Sequence, residues 1–257
     1  MADELLDLGG VTMRFGGVTA LDDVTLHVDR GEIFGLIGPN GAGKTTVFNV
    51  VTGVFQPTYG VIRFAGKPLA GLNRNAITRL GIARTFQNIR LFREMTALEN
   101  VMVGADAHHR TSVIGAVLRF GKHHREESDG YERGMQLLRF MGIEKRAGEA
   151  ARNLPYGDQR RLEIARAMAT KPQLLLLDEP AAGFNPAEKR ELMDLILRIR
   201  DEGYTVLLIE HDMSLVMGVS DRINVLDFGR LIAEGTPGEV RENPAVIEAY
   251  LGAPSAS

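Results

Sequence analysis

The most constraining feature of this sequence is a glycine-rich turn, GPNGAGKTT, which spans residues 38–46. The turn follows a short apolar run, Ile33–Ile37, and precedes the helix-like pattern VFNVVTG. Glycines let the backbone curl so that successive N–H groups point at phosphate oxygens. A strand before such a turn and a helix after it are the context in which this pattern binds nucleotide phosphates. The turn therefore predicts an α/β core with a phosphate-binding loop.

The roles of the side chains in this turn follow from their chemistry. Lys44 is expected to bridge the β- and γ-phosphates, and Thr45 is expected to offer its hydroxyl to Mg²⁺. A helix that begins near Gly43 adds the positive end of its dipole. The predicted phosphate-binding residues are Gly38, Pro39, Asn40, Gly41, Ala42, Gly43, Lys44, Thr45 and Thr46.

Composition excludes several classes of protein. The 257 residues are 44% hydrophobic and 25% charged, which is ordinary for a globular protein. A net charge of −3 gives no basic field for nucleic acid, and the absence of cysteine excludes thiolate chemistry and disulfides. The acidic N-terminus has no signal-peptide core, and no run approaches the roughly 20 apolar residues of a membrane-spanning helix. We therefore expect a soluble, cytosolic chain.

Turn signals and apolar runs divide the chain into two α/β parts with a helical insertion between them. Early strand-like runs are Leu5–Leu8, Thr19–Val28, Ile33–Ile37 and Val61–Phe64. Thr96 and Glu99 have the spacing of a helix capping box, and a mainly helical region follows, with a polar interruption around His123–Gly130.

A second alternation predicts parallel strand pairing after the insertion. Its elements are helix Gln159–Ala169, strand Leu174–Leu177, helix Pro186–Arg200, strand Thr205–Glu210 and helix Met213–Val219. A short hairpin is expected across Phe228–Arg230. Thr236 and Asn243 each precede a proline, which predicts two small helices in the tail.

Two apolar strands end in residues that suit phosphate chemistry. The run Leu174–Leu177 leads to Asp178 and Glu179, and the run TVLLI leads to Glu210 and His211. Parallel strands deliver such residues to one crevice, where Asp178 could hold Mg²⁺ and Glu179 could orient or deprotonate a water. His211 could contact the γ-phosphate. Alone, the acidic pair would be read as a surface turn and the histidine as structural, so both assignments depend on the phosphate loop.

The remaining pairs of histidines receive a plainer interpretation. His108, His109, His123 and His124 lie in the polar helical insertion and are read as solvated side chains. Metal binding there is the alternative, although no carboxylate cluster completes a site.

The order of motifs resembles that of the nucleotide-binding subunits of ABC transporters, from about residue 5 to residue 252. The segments that carry the resemblance are GPNGAGKTT, TFQNIRLF, LPYGDQRRLEIARAM, LLLLDEP and IEHD. It implies a P-loop NTPase with a RecA-like parallel-sheet core, an N-terminal antiparallel β subdomain and a helical subdomain inserted at about 92–165. A helical tail would span about 236–252, all within one domain, 5–252.

The same resemblance implies further site residues and the cofactors ATP and Mg²⁺. Gln87 occupies the position of the glutamine that senses the metal and the γ-phosphate, so the implied metal-site residues are Thr45, Gln87 and Asp178. Phe15 matches the aromatic residue that stacks on adenine, and Val18 lines the same base. The loop at 88–92 would grip a cytoplasmic helix of a membrane subunit.

The segments RTFQNIRLFREMTALENV, EPAAGFNP, IEHDM and NPAVIEAYLG resemble those of branched-chain amino-acid importer ATPases. Urea, short-amide or lipopolysaccharide transport is the alternative within this class. The resemblance implies two membrane permease subunits, a periplasmic-type binding protein, a location at the cytoplasmic face of the membrane, and no nucleic-acid partner. A soluble ABC protein of DNA repair or translation, or a regulator without hydrolysis, would be the reading from another class.

Two loops depart from the family pattern. Asn185 stands where an aspartate is usual, which is expected to alter communication across a dimer. The signature loop, normally Leu-Ser-Gly-Gly-Gln, is here Leu-Pro-Tyr-Gly-Asp at 154–158. Gly157 keeps the anion-facing helix start, whereas Asp158 would repel a neighbour's phosphate unless a cation compensates. We therefore expect a heterodimer with an unlike ATPase subunit that carries an intact signature.

Overall fold

The computed structural model describes residues 4–105 and 120–251, without the side chains of 120–129 and 251. His108 and His109 lie outside the described residues, and the side chains of His123 and His124 do as well. The interpretation of these histidines as solvated therefore stays a prediction.

The described ranges fold into strands and helices that alternate along most of the chain. The strands are β1 (Glu4–Phe15), β2 (Val18–Asp29), β3 (Ile33–Ile37), β4 (Tyr59–Phe64), β5 (Lys67–Pro68), β6 (Ile82–Arg84), β7 (Leu174–Asp178), β8 (Thr205–Ile209), β9 (Arg222–Asp227) and β10 (Arg230–Gly235). The helices are α1 (Lys44–Val51), α2 (Arg74–Leu80), α3 (Ala97–Ala105), α4 (Phe120–Phe140), α5 (Tyr156–Ala169), α6 (Pro186–Asp201), α7 (Met213–Val219), α8 (Pro237–Glu242) and α9 (Pro244–Leu251). Short 3₁₀ turns lie at Glu144–Arg146 and Ala151–Asn153.

The strands form two sheets of different character. One is antiparallel, in the order β2-β1-β4-β5. The other has the order β10-β9-β3-β8-β7-β6 and is parallel except for β10, which closes a hairpin with β9. Every residue of β3, β7 and β8 is buried, as expected of parallel strands covered on both faces. The predicted α/β core and the antiparallel N-terminal sheet are confirmed.

Side chains of β7 show how the layers are arranged. Leu175 and Leu177 pack in a core cluster shared with helices α3, α4 and α5, which we call the helical segment. Leu174 and Leu176 pack in a cluster shared with the antiparallel sheet and α1. Alternate residues of a strand point to opposite faces. The helical segment and the antiparallel sheet therefore cover opposite faces of the parallel sheet.

Strand order brings the predicted functional residues to one edge. β8 pairs with both β3 and β7, and Ile209 lies beside Leu36 of β3 and Asp178 of β7 in the register. The carboxyl ends of β3, β7 and β8 are consequently neighbours. The residues that follow these strands share one crevice.

The predicted helix caps are present. The Thr96 backbone N–H donates to Glu99 Oε2 at 2.7 Å, and the Glu99 N–H donates to Thr96 Oγ1 at 3.2 Å. In the tail, Thr236 forms a second capping box with Glu239, and Asn243 Oδ1 accepts from the Ala245 N–H at 2.9 Å.

Several predicted boundaries were wrong. β1 extends to Phe15 instead of ending at Leu8, because it pairs with β2 along most of its length. The helix α4 continues through His123–Gly130, where we predicted an interruption. Polar residues do not end a helix whose later part is anchored in the core, as Leu138 is here.

Candidate active site

The phosphate-binding turn has a backbone that only glycine fits at two positions. Gly38 and Gly43 have φ values of 151° and 106°, and α1 begins directly after Gly43. A Cβ on Gly38 would lie 2.0 Å from the Leu226 carbonyl oxygen, and one on Gly43 would lie 2.7 Å from that of Ala20. No side chain caps α1, so its first N–H groups remain available to an anion.

Lys44 lies folded against this turn. Its Nζ donates to the carbonyl oxygens of Gly38 at 2.7 Å and Pro39 at 2.9 Å. Burial lowers the pKa of Lys44, and the carboxylates of Glu179 and Asp178 oppose this shift. The ammonium is therefore held within the turn and close to both acidic residues, with the exposed Thr45 next to it in sequence.

Asp178 ends β7 and is held by a basic partner. Its Oδ2 accepts from Arg84 Nη2 at 2.7 Å, and the side chains are 7% and 8% exposed. Arg84 also donates to Asn49 Oδ1 of α1 at 2.8 Å. The arginine thus joins the acidic strand end to the helix that follows the phosphate turn, and it fixes one carboxylate oxygen of Asp178.

Glu179, Gln87 and His211 converge beyond the same strand ends. Gln87 Nε2 donates to Glu179 Oε2 at 2.8 Å, and His211 Nδ1 lies 3.6 Å from that oxygen. Glu179 has a φ of 45°, a conformation that costs a non-glycine residue about 1–3 kcal/mol. A carboxylate presented in this way is suited to orient or deprotonate a water.

Glu210 holds the backbone on both sides of this arrangement. Its buried carboxylate accepts hydrogen bonds from the backbone N–H groups of Ala181 at 2.8 Å and His211 at 3.1 Å. Burial raises the pKa of Glu210, and the backbone donors oppose the shift. The residue ties the loop after Glu179 to the strand end that carries His211.

The predicted base-stacking residues lie at the turn between the first two strands. Phe15 ends β1, Val18 begins β2, and the two are paired in the register. Phe15 is 41% exposed and meets the ring of Phe55 edge-on, with the centroids 5.0 Å apart. An exposed aromatic surface is therefore present at the turn between β1 and β2.

The unusual loop at 154–158 is also the start of a helix. Pro155 occupies the N-cap position of α5, which begins at Tyr156 instead of the predicted Gln159, and Gly157 and Asp158 lie in its first turn. Asp158 Oδ2 pairs with Arg146 Nε at 2.7 Å. Arg146 therefore offsets the charge of Asp158 within the same chain.

Comparison with known proteins identifies the family. A profile described as ABC transporter matches residues 21–182, and one described as branched-chain amino acid ATP-binding cassette transporter matches residues 230–256. The chain belongs to the ABC transporter family. This ABC ATPase is 50% identical to the high-affinity branched-chain amino acid transport ATP-binding protein LivG of Salmonella typhimurium, over 98% of this chain and 99% of that protein.

Other relatives agree with this assignment. BraF of Pseudomonas aeruginosa, a high-affinity branched-chain amino acid transport ATP-binding protein, is 49% identical over 98% of this chain and 99% of its own. A crystal structure of an ATP-binding cassette in its ADP conformation matches with a TM-score of 0.85 and 31% identity, over 97% of this chain and 99% of that chain. A dimeric cassette bound to ADP and Pi matches with a TM-score of 0.76 and 26% identity, over 91% and 99%.

Asn185 has a local role in this ABC ATPase. Its Oδ1 accepts from the N–H groups of Ala187 at 2.9 Å and Glu188 at 3.0 Å, and Glu188 Oε2 accepts from the Asn185 N–H at 2.8 Å. These reciprocal hydrogen bonds form a complete capping box for α6, and Pro186 occupies the first helical position. Its expected effect on communication across a dimer stays a prediction.

A divalent cation fits the predicted residues only with help from a nucleotide. Among the described residues there is no group of three or more His, Asp or Glu side chains that could hold a metal ion. The candidate ligands, Thr45, Gln87 and Asp178, are few and oxygen-bearing, which suits Mg²⁺ that shares its shell with phosphates and water.

Sequence reasoning missed the residues that hold the site together. Arg84 was not predicted because β6 is only three residues long. Phe55 was not predicted because it is a single aromatic residue that follows a helix. Arg160 and Glu163, which form a buried ion pair in α5, carry a readable signal in their i, i+3 spacing. Because that spacing is usually found on a solvated helix face, the sequence alone did not indicate that this ion pair is buried.

Proposed function

We propose that this ABC ATPase is the subunit that drives uptake of branched-chain amino acids through partner membrane subunits. The observation that carries the proposal is the convergence of Lys44, Glu179, Gln87 and His211 at neighbouring strand ends. The names of the relatives and the matched C-terminal segment 230–256 support the substrate class. Urea, short amides and lipopolysaccharide are the competing substrates.

Each site residue has a defined part in hydrolysis. The backbone of Gly38–Thr46 and the Lys44 ammonium bind the phosphates, while Phe15 and Val18 contact the adenine. Glu179 orients and deprotonates the attacking water, and His211 contacts the γ-phosphate. Thr45, Gln87 and Asp178 would hold Mg²⁺, which neutralises phosphate charge when it is bound.

The departure of the 154–158 loop from the family signature supports an unlike partner. We infer that Gly157 and the start of α5 face the nucleotide of a second, unlike ATPase subunit, and that this subunit supplies an intact signature to the Lys44 site. The dimer formed by a related cassette supports pairing. The pair would act at the cytoplasmic face of the membrane on two permease subunits, with a periplasmic-type binding protein delivering the substrate. In the described part of the chain no helix is long and apolar enough to span a bilayer.

Reconstitution tests the function. The complex is reconstituted in vesicles with ATP. It contains this chain, the ATPase encoded by a neighbouring gene, two membrane subunits and the binding protein. Uptake of labelled leucine and of labelled urea is then measured. Leucine uptake that is lost with Lys44→Ala supports the proposal. Urea uptake without leucine uptake would assign a different substrate, and leucine uptake that survives Lys44→Ala would refute the assigned site.

The unlike-partner proposal has its own test. Glu179→Gln and the equivalent change in the partner are introduced separately into the complex, and ATP turnover is measured. A larger loss with Glu179→Gln is expected, because only the site of this chain would combine a complete catalytic set with an intact signature. Equal losses would argue against asymmetry.

A further inference from the structure

Tyr156 stands where the family signature has a glycine, and its side chain makes contacts that a glycine lacks. The hydroxyl donates to the Ala182 carbonyl oxygen at 3.1 Å and accepts from Arg160 Nη2 at 3.4 Å. The ring meets Phe184 edge-on, with the centroids 6.0 Å apart. The first residue of α5 is thus attached to the loop that follows Glu179.

Arg160, one turn further along α5, grips the loop that carries Gln87. Its side chain is fully buried, and it donates to the carbonyl oxygens of Phe86 and Gln87, both at 2.7 Å. Arg160 also pairs with Glu163 at 2.8 Å, and Glu163 Oε1 accepts from the Arg90 N–H at 3.1 Å. Two carbonyl oxygens and an N–H group of the 86–90 backbone are therefore hydrogen-bonded to side chains of α5.

These contacts close into a ring, which we call the Tyr156 circuit: Glu179, Gln87, Arg160, Tyr156 and Ala182. The Gln87 side chain bonds to Glu179, and its carbonyl oxygen bonds to Arg160. Arg160 bonds to Tyr156, Tyr156 bonds to Ala182, and the Ala182 N–H returns to the Glu179 carbonyl oxygen at 3.2 Å. The circuit joins the catalytic carboxylate to the start of α5 within one chain.

We propose that Tyr156 and Arg160 are positioning residues that carry the nucleotide state of the Lys44 site to the start of α5. Any displacement of residue 87 acts on Arg160, because breaking a bond to a buried charged group leaves that group unpaired at high cost. Arg160 and Tyr156 then move the first turn of α5, which contains Gly157. This inference rests on the proposed function, since it requires ATP at Lys44 and a partner's nucleotide near Gly157.

Hydrogen–deuterium exchange of the full-length chain tests the circuit. Exchange is measured with and without a non-hydrolysable ATP analogue and Mg²⁺, in peptides that cover residues 154–162 and 179–185. In the unmodified chain the analogue is expected to change exchange in both peptides by about threefold to tenfold, the range that corresponds to one hydrogen bond gained or lost. Binding of the analogue is measured in parallel.

Two variants cut the circuit at different bonds. Tyr156→Phe keeps the ring against Phe184 but removes the hydroxyl, and it is expected to abolish the response of 154–162 to the analogue. Arg160→Lys keeps the charge beside Glu163 but cannot reach two carbonyl oxygens at once, and it should do the same. Tyr131→Phe is the matched control, since Tyr131 is exposed and belongs to the helical segment away from the circuit.

The outcomes separate this inference from the proposed function. An analogue that binds and changes exchange equally in the unmodified chain and in Tyr156→Phe would overturn the inference alone. An analogue that binds without any change in 154–162 would overturn it as well. Failure of the unmodified chain to bind the analogue would refute the proposed function together with the inference. Because Tyr156→Phe retains its packing, its result stands even where Arg160→Lys does not fold.

Discussion

Two loops of this protein present the start of a helix, yet they are built differently. The phosphate turn at 38–46 depends on glycines with positive φ and leaves the first N–H groups of α1 without a side-chain cap. The loop at 154–158 has Pro155 at its N-cap and also lacks a side-chain cap, but its first-turn side chains are engaged. Tyr156 bonds to Ala182, and Asp158 pairs with Arg146.

The start of a helix therefore does not define a phosphate site without its neighbouring side chains. The phosphate turn encloses the Lys44 ammonium, while the other loop contains a carboxylate that needs Arg146 to offset it. One loop is equipped to bind phosphate for its own chain. The other is tied to its own catalytic site and, under the proposed function, is offered to a partner.

Lys44→Ala should cause the greatest loss of activity, because it removes the cation from the phosphate turn and leaves the 154–158 loop unchanged. ATP turnover at the Lys44 site, measured in a complex whose partner carries the change equivalent to Glu179→Gln, is expected to fall by about 10²–10³-fold, the loss typical when one positioned transition-state donor is deleted. Phosphate release measures it. Lys67→Ala, at an exposed position of β5, is the control and should retain full turnover.

Arg84→Met should show that the surroundings of the phosphate turn depend on a buried ion pair. Removing the guanidinium leaves the Asp178 carboxylate uncompensated, and the free energy of unfolding should fall by about 3 kcal/mol. Urea denaturation measures it. Arg63→Met removes an exposed ion pair with Asp7 and should cost less than about 1 kcal/mol. Equal losses in the two variants would contradict the role given to Arg84.

Glu210, which lies beside the predicted catalytic residues, should make the free energy of unfolding depend on pH. Because burial raises the pKa of Glu210, its contribution to stability is fully present below the ordinary value of 4.5 and is lost as pH rises through the raised value. The free energy of unfolding relative to Glu210→Gln should therefore decline as pH increases above 4.5. Urea denaturation of both proteins across this range measures the difference, and a flat difference would contradict the assignment.

Arg146→Met should have the smallest effect, and it acts on the other loop. Loss of the guanidinium leaves the Asp158 charge uncompensated, and under the proposed function this charge faces the partner's phosphate, which should lower turnover at the partner's site by about twofold to fivefold. Turnover is measured in a complex in which Glu179→Gln has reduced the activity of this chain's own site. The double variant Arg146→Met with Asp158→Asn should recover turnover at the partner's site. If turnover is not recovered, Arg146 acts in another way.

Much of the fold was predictable because its signals are local. The buried strands β3, β7 and β8 are short apolar runs bounded by turn residues, and α7 and the capping boxes follow from adjacent residues. The ends of β1 and α5 were not predictable in this way. Pairing with β2, across the turn that joins the two strands, extends β1, and α5 begins at Tyr156, before the predicted start.

Local sequence patterns specify the phosphate turn, the acidic and histidine strand ends, and the departure of the 154–158 loop from its family. These depend on residue type and spacing over a few positions, where backbone freedom and side-chain chemistry act locally. Long-range packing brings Arg84 to Asp178 and Arg146 to Asp158, and it lets Tyr156 and Arg160 join α5 to Gln87 and the loop after Glu179. Such contacts link residues distant in the chain, so they exist only once the sheet and the helices have packed.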